Sequence, residues 1–116
     1  MSAHRQRQIL SIVATDATFE RTTVRGLDAW VGRCLFCKSK LTISLAGEPM
    51  SAATVEHIRP RNHGGDDSLG NLALACGPCN NEKGVRHDSS RRPSARAIEV
   101  IEGLLAERLR RWRDPE

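Results

Sequence analysis

Two cysteine pairs, Cys34-x-x-Cys37 and Cys76-x-x-Cys79, constrain this chain more than anything else in it. Each pair can close a tight knuckle around a soft metal ion, and two pairs supply the four thiolates of a tetrahedral zinc site. Free thiols or disulfides are the alternative. However, Met1-Ser-Ala-His-Arg5 leads into neither an apolar export segment nor a cleavage site, and structural disulfides belong mainly to exported chains. The expectation is a structural Zn²⁺ on Cys34, Cys37, Cys76 and Cys79 in a soluble, cytoplasmic protein. Composition shows why a staple helps: 116 residues suffice for one core, but only 3% of them are aromatic. No run approaches the ~18 consecutive apolar residues of a membrane-spanning helix. Eighteen Lys and Arg against fourteen Asp and Glu give a net charge of +4, a weak lean toward polyanionic partners.

The hydrophobic pattern organises the chain around these cysteines. Ile9, Leu10, Ile12 and Val13 share one helical face over residues 4–16, and Val24, Leu27 and Val31 recur at three- and four-residue spacing, which predicts a second short helix over 22–30. Residues 41–45 alternate apolar and polar, 53–57 reads as a short strand, and 71–75 as another. Between the last two, Pro60, Gly64, Gly65, Asp66, Asp67 and Gly70 require a loop, so the pair forms a hairpin with a long polar tip. Pro78 suits the first turn of a short helix. After a polar linker over 86–96, Ile98, Ile101, Leu105, Leu109 and Trp112 line one face of an amphipathic helix over 94–113, whose arginines are expected on the wet side. The sequence therefore reads as one domain over 1–116: an N-terminal helical segment over 4–31, a core over 33–84 and a C-terminal helix.

The informative core segment runs from Val55 to Gly84. It carries Glu56-His57, then Pro60, Gly64-Gly65, Asn71-Leu72, Cys76-x-x-Cys79, Asn80 and Lys83-Gly84, with Cys34-x-x-Cys37 upstream. In that order and spacing it resembles the HNH endonucleases, the ββα-metal nucleases, over about Arg33 to Gly84. Asn80 stands where the family name implies a histidine, a recognised variant, and Glu56 stands where aspartate is commoner. The resemblance implies an α+β fold, a zinc-stapled hairpin and helix flanked by the terminal helices.

It also implies a metal-dependent endonuclease that hydrolyses phosphodiester bonds in DNA, with RNA open as substrate. His57 would take the proton of the attacking water, since an imidazole can do so near neutral pH. Glu56 and Asn80 offer the hard oxygens that suit a catalytic Mg²⁺ or Mn²⁺, whereas the soft thiolates suit zinc. Adjacent strand residues point to opposite faces, so Glu56 and His57 share a site only if the strand twists or bulges there. Asn71, by the same resemblance, holds backbone across the long loop and keeps the base strand in place. Arg59, Arg61, Lys83 and Arg86 lie close enough in sequence to touch flanking phosphates, with Arg91, Arg92 and the C-terminal arginines extending the track. His63 is the first substitute for His57, and His4 and His87 stand outside the site. A single site cuts one strand, so double-strand cleavage needs a homodimer or two visits. Roles in restriction, phage packaging or a mobile element are all compatible. The competing reading is a non-catalytic zinc module that binds nucleic acid or protein.

Overall fold

The computed structural model describes residues 1–115. Helix α1 (Ala3–Thr15) is followed by strands β1 (Glu20–Val24), β2 (Leu27–Arg33), β3 (Lys40–Ser44) and β4 (Ala53–His57), then β5 (Leu72–Cys76), α2 (Gly77–Lys83) and α3 (Ala95–Arg110). Both long helices open on a serine cap: Ser2 accepts from the Arg5 amide and Ser94 from that of Ala97. β1, β2 and β3 form an antiparallel sheet in that order, and β4 and β5 form a separate hairpin.

The hairpin is the middle layer. Residues directly opposite in an antiparallel pair share a face. His57 opposes Leu72 and Val55 opposes Leu74, while Glu56 opposes Ala73. Leu72, Leu74 and Val55 pack with Ile9, Ile12 and Val13 of α1 and with Leu41 and Ile43 of β3. Ala73 joins Leu35, Ile58 and Ile101 of α3 in a second cluster on the other side. One strand pair therefore carries two cores, and no helix among the described residues is long and apolar enough to cross a membrane.

The segment 22–30 departs from expectation, because it forms most of the β1–β2 hairpin instead of a helix. Arg25 and Gly26, at φ +51° and +80°, make the two-residue turn whose twist matches antiparallel strands. The spacing of Val24, Leu27 and Val31 mimics a helical face, but Thr22, Thr23 and Val24 are β-branched and suit a strand. The linker also begins as helix: Gly84–Asp88 is a π-helical turn continuing α2.

The buried face of α3 is a second correction. Ile98 and Leu109 are exposed, whereas Ala97 and Ile101 are buried, and their stripe continues into Arg108 and Arg111. Arg108, fully buried, donates to the carbonyls of Leu72, Thr15 and Leu69 and to Thr15 Oγ1, with its guanidinium 5.0 Å from the centre of the Trp112 ring. Burial lowers its pKa. Arg113 donates to the carbonyls of Ala14 and Val13. Arg108 and Arg113 bind the C-terminal segment to α1 and β5, and Arg111 donates to the Arg33 and Cys34 carbonyls, so these three are not part of a phosphate track.

Candidate metal centre and active site

The sequence ends β2 just before Cys34 and starts α2 just after Cys76, so the strand ends and the helix start deliver the four cysteines to one place. Their sulfurs all lie within 4.8 Å of one another, with Cys37 Sγ and Cys76 Sγ 3.8 Å apart. A tetrahedral zinc–thiolate site with ~2.3 Å bonds needs sulfurs about 3.8 Å apart, so the cluster has the size and chemistry to hold zinc. The cysteines form no disulfide. The amides of Phe36 and Cys76 point at Cys34 Sγ at 3.4 and 3.3 Å, the pattern of a metal knuckle. Ser39, through its side chain and its backbone, brings the Cys37 thiol down to about 6, while burial pushes Cys79 up.

Beside this centre the hairpin presents two different faces. On the α2 face, Thr54 and Glu56 are two residues apart on β4 and meet Asn80 and Lys83, three apart on α2. Asn80 Nδ2 donates to Thr54 Oγ1 at 3.0 Å, and Lys83 Nζ to Glu56 Oε1 at 3.1 Å. The Lys83 ammonium is buried and also donates to both carboxylate oxygens of Asp88, at 2.9 and 2.7 Å, and to the His57 carbonyl at 3.3 Å. Lys83 is thereby unavailable to a phosphate at the surface. Glu56 Oε2 is buried with no hydrogen-bond partner. Burial raises the Glu56 carboxyl to about 7, against the pull of Lys83. Asn80 is bonded through Nδ2 to Thr54, two residues before Glu56 on β4, so its side-chain carbonyl and the orphaned Glu56 Oε2 are hard oxygen donors on the same face of the hairpin.

His57 leaves the other face. The β4 ladder is regular through the His57–Leu72 pair, without a bulge, so His57 and Glu56 point in opposite directions. The imidazole is 23% exposed, and its Nε2 lies 2.7 Å from Asp67 Oδ1. Asp67 also accepts two bonds from Arg61 Nη2, at 3.0 and 3.1 Å. These two partners hold its carboxyl below the usual range, His57 more than Arg61. An ionised carboxylate only accepts, so Nε2 carries the hydrogen, and in the neutral form of the ring the lone pair is on Nδ1.

The loop between the strands is built to hold that end of β4. Asn71 Oδ1 accepts from the Arg59 amide at 2.8 Å, and Nδ2 donates to the carbonyls of Arg59 and Asp66 at 3.0 and 2.8 Å. Gly65 is required there, because a Cβ would overlap the Arg59 carbonyl oxygen. His63 does not face His57's partner; its Nε2 meets the Ser90 carbonyl at 2.7 Å, and Asn62 donates to the Asp88 carbonyl, so this turn clamps the stretch after α2. Arg59 pairs with Glu102 and Arg86 with Glu82, and Arg61 and Arg86 stay largely exposed. His87 lines a crevice with Cys79 and Lys83, away from His57.

Sequence reasoning overlooked Asp67 and Asp88. For Asp67 a signal existed: an acid in a glycine-rich loop closing back on a strand that ends in histidine is placed to orient the ring. For Asp88 there was none, because a charge following a short helix reads as solvated. Comparison with curated proteins and with solved structures returns no match. Residues 34–86 match the family model described as HNH endonuclease, just under half of the chain. The span that matches this family model holds the four-cysteine cluster, the β4–β5 hairpin and helix α2, so the likeness to the HNH endonucleases falls on the part of the chain that builds the metal centre.

Proposed function

We propose that the chain hydrolyses phosphodiester bonds in DNA, one strand at a time, with His57 as general base. The observation that carries this reading is the His57–Asp67 contact at 2.7 Å, because it assigns the free lone pair to Nδ1 of a partly exposed ring inside the span that matches the HNH endonuclease model. Nδ1 takes a proton from water, the water oxygen forms its bond to phosphorus, and the opposite P–O bond breaks; the departing oxygen is protonated by solvent. Asp67 keeps the ring oriented and compensates the imidazolium, and Asn71 fixes the backbone on which His57 and the loop depend.

Glu56 and Asn80 are the residues that would hold Mg²⁺ or Mn²⁺. When bound there, the ion neutralises charge on the phosphate and the leaving oxygen. Glu56 and His57 leave opposite faces, so a phosphodiester reaches both only by lying across the end of β4. Arg61, Arg59 and Arg86 are available to flanking phosphates, giving affinity with little sequence information. The four cysteines hold a structural Zn²⁺.

The second reading, a non-catalytic zinc module, is favoured by the Lys83 ammonium already seated on Glu56. Supercoiled plasmid separates the two. Zinc-loaded wild type with Mg²⁺ or Mn²⁺ is expected to convert it to the nicked form, with His57→Ala slower by ~10²–10⁴-fold. Equal nicking by both proteins removes His57 as base, and no nicking with any divalent ion leaves the zinc module.

A further inference from the structure

The face of β4–β5 that carries His57 also carries an open groove of about 260 Å³, between α1 and the loop that holds Asp67. Leu72, the cross-strand neighbour of His57, lies at its base, and Asp67 and Leu69 form one wall. The other wall is α1, which presents His4, Arg7, Gln8 and Ser11. These positions, spaced three and four apart, form one continuous helix face. His4, expected to stand outside the site, is therefore part of an ordered helix beside the dyad.

The charges in this groove are unevenly satisfied. Asp67 is committed to His57 and Arg61. Gln8 Oε1 is committed to Arg5. Among the described residues neither Arg7 nor His4 has an ion-pair or side-chain hydrogen-bond partner, and both are exposed. Arg7 lies on the exposed face of α1, whose buried core residues are Ile9, Ile12 and Val13. A guanidinium is always charged and presents a planar fork of donors that matches phosphate oxygens. The volume falls just below the ~300–1,000 Å³ of pockets that enclose a drug-sized ligand, so an open channel of this size suits a length of backbone more than a flipped base.

We propose that Arg7, assisted by His4 one turn earlier, grips the phosphate backbone of the strand being cut and lays it along α1 beside His57. Arg61 meets the same backbone from the loop side. The inference rests on the hydrolase reading and names where its substrate lies. It also gives α1, which is outside the matched span 34–86, a binding role.

The test uses the full chain, zinc-loaded, and a 30-base-pair DNA duplex. Binding is measured over a salt series in a His57→Ala background, which does not consume the probe, and nicking in the wild-type background. Arg7→Ala is expected to weaken binding about tenfold, to lower the salt slope by about one, and to slow nicking at least as much. Arg7→Lys recovers part of the affinity. Arg21→Ala removes the same charge from the β1–β2 hairpin and is expected to change binding less than twofold. Equal losses from Arg7→Ala and Arg21→Ala, or unchanged binding by Arg7→Ala, overturn the groove while leaving the hydrolase reading to the plasmid assay. Weaker binding by Arg7→Ala in a protein that nicks nothing upholds the groove and rejects the hydrolase reading.

Discussion

Arg111, just past the end of α3, donates to the carbonyl oxygen of Cys34 at 3.2 Å, so the last helix grips the first cysteine. The same guanidinium reaches the Arg33 carbonyl at 3.0 Å and Glu107 Oε2 at 2.8 Å, and it is 4% exposed. Asp16, also buried, lies 3.8 Å away. Removing such a cation strands a buried carboxylate and two carbonyls. Arg111→Ala is expected to cost about 3–5 kcal/mol in urea unfolding and to loosen metal binding at the cysteines. Arg111→Lys recovers little, because one ammonium cannot span two carbonyls and a carboxylate. An Arg111→Ala protein as stable as wild type would show that α3 does not support the knuckle.

Metal removal acts on the same centre from inside. The cysteines join the end of β2, the end of β5 and the start of α2, a helix of only seven residues. A chelator is expected to strip the metal with cooperative loss of β5 and α2, visible as rapid amide exchange there, while α1 keeps more protection. Cys76→Ser reproduces this state without chelator, since one ligand of four is lost. Unchanged exchange after complete metal removal would make the ion dispensable for the fold.

Asn71 carries a third prediction. One side chain closes three hydrogen bonds to backbone across the loop, and it is 6% exposed. Asn71→Ala leaves an amide and two carbonyls unpaired, a loss of about 2–4 kcal/mol. Asn71→Asp keeps the acceptor for Arg59 but loses the donors, and it is expected to fall in between. Stability within ~0.5 kcal/mol of wild type for both would remove Asn71 as the brace of the His57 strand.

The sequence was most readable where chemistry is written in residue identity: the cysteine pairs, the glycine loop, the strands at 53–57 and 71–75 and the helix after Pro78 all lie where expected. It misled where periodicity was the only guide. Val24, Leu27 and Val31 fit a helical face and belong to a hairpin, and only the positive φ values at Arg25 and Gly26 reveal the turn. It misled again where charge was equated with solvent. Arg108, Arg111 and Lys83 are buried because fixed carbonyls and carboxylates surround them, and no binary pattern encodes those partners. Glu56 and His57 could be named from the sequence, but the face each one takes depends on whether β4 bulges, and it does not.

Glu107 makes stability depend on acid. Its hydrogen bonds to Arg110 and then Arg111 bring the carboxyl from an ordinary 4.5 down to about 2. Between those values the unfolded chain binds the proton and the folded chain does not, so stability rises with pH across the window. The contribution is whole above about pH 4.5 and gone once pH falls through about 2. Urea midpoints taken from pH 5 downward are expected to fall less steeply in Glu107→Gln than in wild type. Parallel curves would mean that Arg111 is held by its carbonyls alone.

Asp67 provides the sharpest test of the hydrolytic reading, because it touches the proposed base without being one. In Asp67→Asn the residue can offer an amide hydrogen to Nε2, which moves the ring hydrogen to Nδ1 and removes the lone pair that water needs. Arg61 also loses its carboxylate. Nicking is expected to drop by at least about tenfold and toward the ~10⁴-fold seen when a base histidine is left in the wrong tautomer. Duplex affinity does not fall, since a negative charge has been removed from a phosphate-facing groove. Asp67→Glu keeps the charge, and it is expected to retain a pH–rate profile shaped like that of wild type at reduced amplitude, whereas in Asp67→Asn the profile shifts. A normal nicking rate in Asp67→Asn would show that the ring works without its carboxylate, and weakened binding in place of slowed cleavage would make Asp67 a support for the loop alone.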